Sequence, residues 1–354
     1  MIKKDIIGEF DEKEGVFLSL ESMTKSLLEA LISSEKLQIH SITSRTKQRE
    51  SLLGKIKRPN KSYDRLLDIT DIVGFRITTY FSEDVDVIAR IIEKEFSIDP
   101  DNSIDKRKAL EPDRFGYMSL HLVCEHKNAR LKLPEYKQYK SIKFEVQIRS
   151  ILQHAWAEIE HDIGYKSTNE VPDLLKRRFS RLAGLLELAD EEFQSIKDGI
   201  KNYRSSLPEQ LGSAPDDVTL DLESLTYFVN TDPSITKLEE EMLKYFKYPV
   251  LNNAQQASVS NSLEFLNRQG IQTVGELILK YKEVEQYIVP FLKVWLSKDH
   301  SSESLSRGIS LLYLTYINLA THGDQDHSEF VLKAAPFMNV SDLVEEINEA
   351  WLKI

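Results

Sequence analysis

Two carboxylates stand where the chain does not need them for folding. Asp71, in DITDIVGFRI (68–77), lies at the mouth of a β-rich run, and Gly74 just after it lets a ligand or a second backbone approach closely. Glu145, in IKFEVQIR (142–149), falls mid-strand on the polar face between apolar neighbours. A carboxylate there needs solvent, a partner or a metal. Two carboxylates from separate strands can hold Mg²⁺, which takes one or two protein carboxylates and keeps waters and phosphate oxygens. The plainer reading of Asp71 is a turn carboxylate before a strand. Asp68, three residues earlier, suits a capping role.

Cations gather near both. SRTKQRESLLGKIKR (44–58) carries Arg45, Lys47, Arg49, Lys55, Lys57 and Arg58, and on a helix Ser51 and Lys55 share a face. In a chain of net charge −11 this cluster is either a local anion site or a solvated helix face. DKRKALEPDRFGYMSLH (105–121) adds Lys106, Arg107, Lys108 and Arg114. Cations beside carboxylates are the equipment of phosphoryl transfer, which works by positioning and charge neutralisation. Neither a GxxxxGK[ST] loop nor a Gly-rich dinucleotide loop occurs. Tyr117 follows a glycine at a strand entrance, where it can stack a base or simply fill a sheet edge. Ser119 and His121 alternate onto the same strand face. His154 and His161, seven apart on a helix, read better as structural histidines than as ligands.

Several elements must position these groups. Apolar spacing predicts a first helix over about 14–40 and a short one at SLLGKIKR. Strands are expected at DITDIVGFRITTYF, YMSLHLVCEH and IKFEVQIR, and a helix at EDVDVIARIIEKEF, whose acidic first turn suits the helix dipole. After Ser150 the period becomes helical, with helices over about 150–163 and 173–203. YRSSLPEQLGSAPDDV (203–218) is rich in Pro, Gly and Ser and reads as a linker. Beyond it every periodic segment is helical. The expected fold is α+β: a mixed-sheet domain flanked by helices over 1–204, a linker over 205–218, and an all-α accessory domain over 219–354.

The 354 residues are 41% hydrophobic and 29% charged, enough for two packed domains and too apolar for global disorder. The net charge argues against sequence-blind nucleic-acid binding. Cys124 is the sole cysteine, so no internal disulfide forms and a reducing, cytoplasmic setting is expected. The N-terminal segment lacks an apolar signal core, and no apolar run of about 18 residues occurs.

In order, SRTKQRESLLGKIKR, DITDIVGFRI, GYMSLH and EVQIRSILQHAWAEIEHDIGYK resemble the synthetase domain of the RelA/SpoT alarmone synthetases, over about residues 20–200. The resemblance implies transfer of pyrophosphate from ATP to the 3′-hydroxyl of GDP or GTP, with Mg²⁺. It implies Asp71 as metal ligand and Glu145 as a second acidic group, metal-directed or the base for the 3′-OH. Arg45 and Arg76 would sandwich adenine, which lysine does poorly. Lys47, Ser51, Lys55 and Lys57 would hold the ATP phosphates. Tyr117 would stack on the acceptor base with Ser119, His121 and Gln147 nearby and Arg149 bracing the site. Two positions depart from the pattern: Phe115 stands where many relatives have Asn, and Gly164 where they often have Arg. Phe115 opens a second acceptor, the tRNA 3′ end, used by toxic members of the family, some of which carry a fused neutralising domain. Residues 219–354 would then be that neutraliser or a sensor in a toxin–antitoxin or phage-defence arrangement, or else a site for a protein partner or self-association. The hydrolase half of the long relatives is missing, so no alarmone hydrolysis is expected.

Overall fold

The computed structural model describes residues 6–58, 62–105, 119–164, 173–246, 251–252, 256–297, 305–334 and 339–354. The chain divides into two compact units, Met1–Asp198 and Gly199–Ile354.

The first unit opens with α1 (Ile6–Ser34), whose Phe10, Phe17, Leu20, Leu28 and Ile32 recur at helical spacing and are buried. β1 (Ile39–Thr46) and α2 (Arg49–Ile56) follow, then β2 (Val73–Thr79) and α3 (Glu83–Glu95). β3 (Phe96–Ile98), β4 (Ile104–Asp105), β5 (Leu120–His126) and β6 (Phe144–Ser150) complete a mixed sheet of order β1-β2-β6-β5-β3, with β4 also on β5. Within this sheet, among the described strands, only the β2–β6 pair is parallel. On β6 Phe144, Val146 and Ile148 are buried while Glu145 and Gln147 are part-exposed, the expected alternation.

Register does the positioning. One rung runs Arg45, Gly74, Glu145 across β1, β2 and β6, and the next runs Thr43, Arg76, Gln147, His121 out to β5. Neighbouring positions in a rung point to one face, so five candidate side chains (Arg45, Glu145, Arg76, Gln147 and His121) share a surface without any loop being needed.

α4 (Ile151–Gly164) and α5 (Asp173–Ser213) close the first unit and enter the second. The second unit continues with α6 (Leu222–Thr231), α7 (Pro233–Met242), β7 (Leu251–Asn252), α8 (Gln256–Arg268), α9 (Val274–Leu296), β8 (Leu305–Ser306), α10 (Ile309–His322), α11 (Gln325–Leu332) and α12 (Val340–Trp351). It is helical as expected, apart from the two-residue β7–β8 pair. Its core gathers Phe228, Phe265, Tyr281, Phe291, Leu314 and Ile347.

Two expectations need correction. The first helix runs Ile6–Ser34 rather than about 14–40, and IHSITSRT (Ile39–Thr46) is strand β1 at the sheet edge. Its polar residues face a part-open edge, which hides the period-two signal. The segment 205–218 is not a linker: α5 runs through Pro208 to Ser213, and Leu207 and Val218 are buried in the second core. Apolar burial there overrides the turn-forming composition.

Candidate active site

Asp71 precedes β2 and is the hub of the site. Its Oδ1 accepts from Lys55 Nζ at 2.6 Å and its Oδ2 from Lys47 Nζ at 3.1 Å. Asp68 caps the turn before it, accepting from the Arg65 and Asp64 amides. This is the division of labour expected of the pair. Glu145 Oε1 lies 2.7 Å from His121 Nδ1, and Oε2 accepts from Gln147 Nε2 at 3.1 Å. His121 Nε2 in turn is 2.8 Å from Ser119 Oγ. With Glu145 ionised, Nδ1 is the protonated nitrogen, and Nε2 accepts from the serine.

Burial pushes the Asp71 carboxyl up, but the hydrogen bond from Lys55 and the charges of Lys47 and Lys55 outweigh it, leaving it below the usual carboxylate range. Burial likewise pushes Glu145 up, and the nearby Asp71 charge adds to this. The hydrogen bonds from His121 and Gln147 win, so Glu145 is also held low. Both groups are therefore carboxylates at neutral pH.

Two adjoining cavities meet at Arg45 and Asp71. One, of about 110 Å³, is bounded by Thr43, Ser44, Gly74, Arg76, Glu145 and Gln147 as well. The other, of about 820 Å³, is bounded by Lys47, Gln48, Ser51, Gly54, Lys55 and Arg58. The larger is of the size that holds a nucleotide. No side chain stands on Gly74, and a Cβ there would meet nothing within 4 Å, so the floor between Arg45 and Glu145 is open.

Arg45, Lys47, Ser51, Lys55, Asp71, Arg76, Glu145 and Gln147 thus border these cavities, and Ser119 and His121 reach them through Glu145. Lys57 does not border either; it is exposed past the end of α2, and Arg58 takes that place in the wall. Arg149 is only 4% exposed and borders neither cavity. Its Nη2 donates to Glu158 Oε1 at 3.2 Å, and the same oxygen accepts from Arg76 Nη1 at 3.0 Å. Arg149 therefore braces Arg76 through a shared carboxylate. Burial and the Arg76 charge lower its guanidinium to about 10, against the pull of Glu158. Tyr117 and Phe115 lie outside the described residues.

Sequence reasoning missed Glu158 and Glu21, and it placed Arg58 in the basic cluster without giving it a role in the site. Glu21, on α1, accepts from Ser44 Oγ at 2.7 Å and Thr46 Oγ1 at 2.6 Å, pinning β1 on both sides of Arg45. Only the unassigned strand hid this: once 39–46 is a strand, Ser44 and Thr46 share a face.

The donor set suits Mg²⁺ as a substrate-bridged ion. Asp71 and Glu145 supply hard oxygens onto one cavity, and among the described residues no third His, Cys, Asp or Glu completes a protein cage. Each of the four carboxylate oxygens has a hydrogen-bond partner that a cation would have to share or displace.

Residues 44–170 match the family described as the region found in RelA/SpoT proteins. The GTP pyrophosphokinase YwaC of Bacillus subtilis is 30% identical over 177 residues, spanning 48% of this chain and 81% of the relative. The chain belongs to the RelA/SpoT family. The GTP pyrophosphokinase YjbM of Bacillus subtilis is 28% identical over 171 residues, spanning 48% of this chain and 76% of the relative. The solved structure of a GTP pyrophosphokinase family protein from Streptococcus pneumoniae is similar at 28% identity, with a TM-score of 0.46 over 55% of this chain and 96% of that one. The RelA/SpoT region contains every candidate residue from Arg45 to Arg149 and none of the second unit. Among the described residues, no helix is long and apolar enough to cross a membrane.

Proposed function

We propose that the first unit transfers the β,γ-pyrophosphate of ATP to the 3′-hydroxyl of GDP or GTP, making (p)ppGpp, with Mg²⁺ as cofactor. The observation that carries this reading is the pairing of Asp71 with Lys47 and Lys55 beside Glu145, at the junction of two cavities. Two relatives named GTP pyrophosphokinase support the choice of nucleotides.

In this reading Arg45 and Arg76 receive the adenine, whose face suits a guanidinium. Glu158 holds Arg76 in place through the bond described above. Lys47 and Lys55 exchange Asp71 for phosphate oxygens, with Ser51 and Arg58 on the same wall. Asp71 and Glu145 would hold Mg²⁺, which would supply charge neutralisation of the phosphates. Glu145 accepts the proton of the acceptor's 3′-hydroxyl, oriented by His121 and Gln147. Its depressed pKa makes it a weak base, which suffices because a loose phosphoryl-transfer transition state asks for proton removal late. Tyr117 stacks the acceptor base.

Phe115 favours testing the tRNA 3′ end as a second acceptor. Glu145→Gln keeps the size and hydrogen-bonding shape of the side chain and removes the carboxylate. Turnover falling by about 10²–10⁴ with nucleotide binding kept supports the reading; unchanged turnover defeats it.

A further inference from the structure

One carboxylate oxygen serves two arginines, and a histidine stands beside it. Glu158 Oε1 accepts from Arg76 Nη1 at 3.0 Å and from Arg149 Nη2 at 3.2 Å. One turn earlier on α4, His154 Nδ1 lies 3.7 Å from the same oxygen, too far for a hydrogen bond. That nitrogen is nonetheless buried and has no hydrogen-bond partner among the described residues. Buried ring nitrogens are normally bonded, so this one calls for a reason. Three nitrogen groups thus converge on one oxygen: two permanent cations and one that titrates. The charged and titratable groups facing His154 are Arg149 of β6, Arg76 of β2, His40 of β1 and Glu158 of its own helix. Burial, and then the charges of Arg149 and Arg76, hold the ring below the usual histidine range, against the pull of Glu158. The ring is therefore neutral at neutral pH.

We propose that His154 is a positioning residue for ATP: neutral, it leaves Glu158 to hold Arg76, and protonated, it takes Glu158 for itself and loosens Arg76. The inference rests on the reading above in which Arg76 receives the adenine. The Glu158 side chain is 54% exposed, so a small movement closes the gap to a protonated Nδ1. Its oxygen already has two donors, and a third must displace one of them. Arg149 is 4% exposed and fixed, whereas Arg76 is 33% exposed, so Arg76 is the one that yields. Charge acts in the same direction. Two guanidiniums already face one carboxylate, and a third cation adds repulsion that the more exposed arginine relieves by moving away. ATP therefore binds better to the neutral-ring form. By linkage, bound ATP makes the ring still harder to protonate. ATP affinity is full above the pH at which His154 titrates and weakens as pH falls through it.

The test is calorimetric titration of the full chain with AMPCPP, an ATP analogue, and Mg²⁺ between pH 5.5 and pH 8, with circular dichroism of every variant. His154→Gln stays neutral throughout, and the ratio of wild-type to variant Kd cancels the titration of the nucleotide itself. That ratio is expected near one at pH 8 and several-fold at pH 5.5, and His154→Asn, a second neutral variant, is expected to give the same profile. In transfer assays the KM for ATP is expected to follow the ratio, with kcat moving less. With Glu158→Gln already in place, adding His154→Gln is expected to change nothing. In the wild type, the His154 imidazole signal in nuclear magnetic resonance is expected to titrate at lower pH once AMPCPP is bound. A ratio that stays flat for both neutral variants overturns the proposal, as does a His154 titration that AMPCPP leaves in place or raises. Arg76→Ala binding AMPCPP as tightly as the wild type overturns the adenine reading and the proposal together. A flat ratio beside a weakened Arg76→Ala overturns the proposal alone.

Discussion

Replacing Asp71 by Asn separates what the carboxylate does for folding from what it does for chemistry. Two ammonium groups sit 2.6 and 3.1 Å from one carboxylate. At an effective dielectric of about 20, each attraction is roughly 5 kcal/mol before desolvation offsets most of it. Breaking a fully buried pair costs about 3–5 kcal/mol because a charge is stranded. Here the Lys47, Lys55 and Asp71 side chains keep 12%, 16% and 23% exposure and border an open cavity, so the freed lysines rehydrate. The expected stability loss is therefore only about 1–2 kcal/mol. Turnover should fall by about 10²–10³ or more, because the charge is lost where the transferred group must be neutralised and held. Lys47 and Lys55, released from their counter-charge, should bind ATP in EDTA at least as tightly as in the wild type. Thermal melts, labelled-pyrophosphate transfer and calorimetric titration in EDTA read these three quantities. Turnover within tenfold of wild type would refute the assignment of the site. Weaker binding of metal-free ATP would refute the idea that Asp71 holds the lysines against the nucleotide.

Other outcomes follow from the same geometry. Glu158→Ala should raise the KM for ATP more than it lowers kcat, since Arg76 loses its anchor, and should cost about 1 kcal/mol of stability because Glu158 is itself 54% exposed. A fall in kcat alone would show that Glu158 acts elsewhere. Glu21→Gln should keep one of the two contacts to β1 and Glu21→Ala neither, so activity should fall in that order at little change in melting temperature. In the second unit, fully buried Glu239 accepts from the Gly308 and Ser310 amides and the Ser310 hydroxyl, yet burial keeps its carboxyl above the ordinary range. A raised acid binds its proton more tightly folded than unfolded, so its contribution favours folding at low pH. That contribution is lost as pH rises from the ordinary carboxylate range through the raised value. Glu239→Gln removes this dependence, and its melting temperature relative to wild type should rise between pH 5 and pH 8; a falling difference would contradict the burial argument.

The carboxylates and lysines of the site were legible because each broke a local rule. Glu145 sat on a strand between apolar residues, and Lys47 and Lys55 clustered in an acidic chain. The rungs that bring them together were not legible. They depend on a parallel β2–β6 pairing across some seventy residues, which no local pattern encodes. Glu158 was hidden for a related reason: on a helix it reads as a solvated acid, and only the fold sets it between Arg76 and Arg149. The 205–218 stretch was misread because Pro, Gly and Ser outweighed the buried Leu207 and Val218, whose apolar partners lie far along the chain. The helical character of the second unit was plain from its periodicity, whereas what its buried Glu239 does was not, since a lone acid in a helix carries no sign of its cap.

The central claim is pyrophosphate transfer from ATP to a nucleotide 3′-hydroxyl. It is tested most directly by incubating the full chain with γ-³²P-ATP and Mg²⁺, in parallel with GDP, GTP or bulk tRNA, and separating the products by thin-layer chromatography. Label moving to a guanine nucleotide, and failing to move with Glu145→Gln, is the predicted result. Label entering only tRNA would contradict the acceptor, and no transfer to any acceptor would contradict the account as a whole.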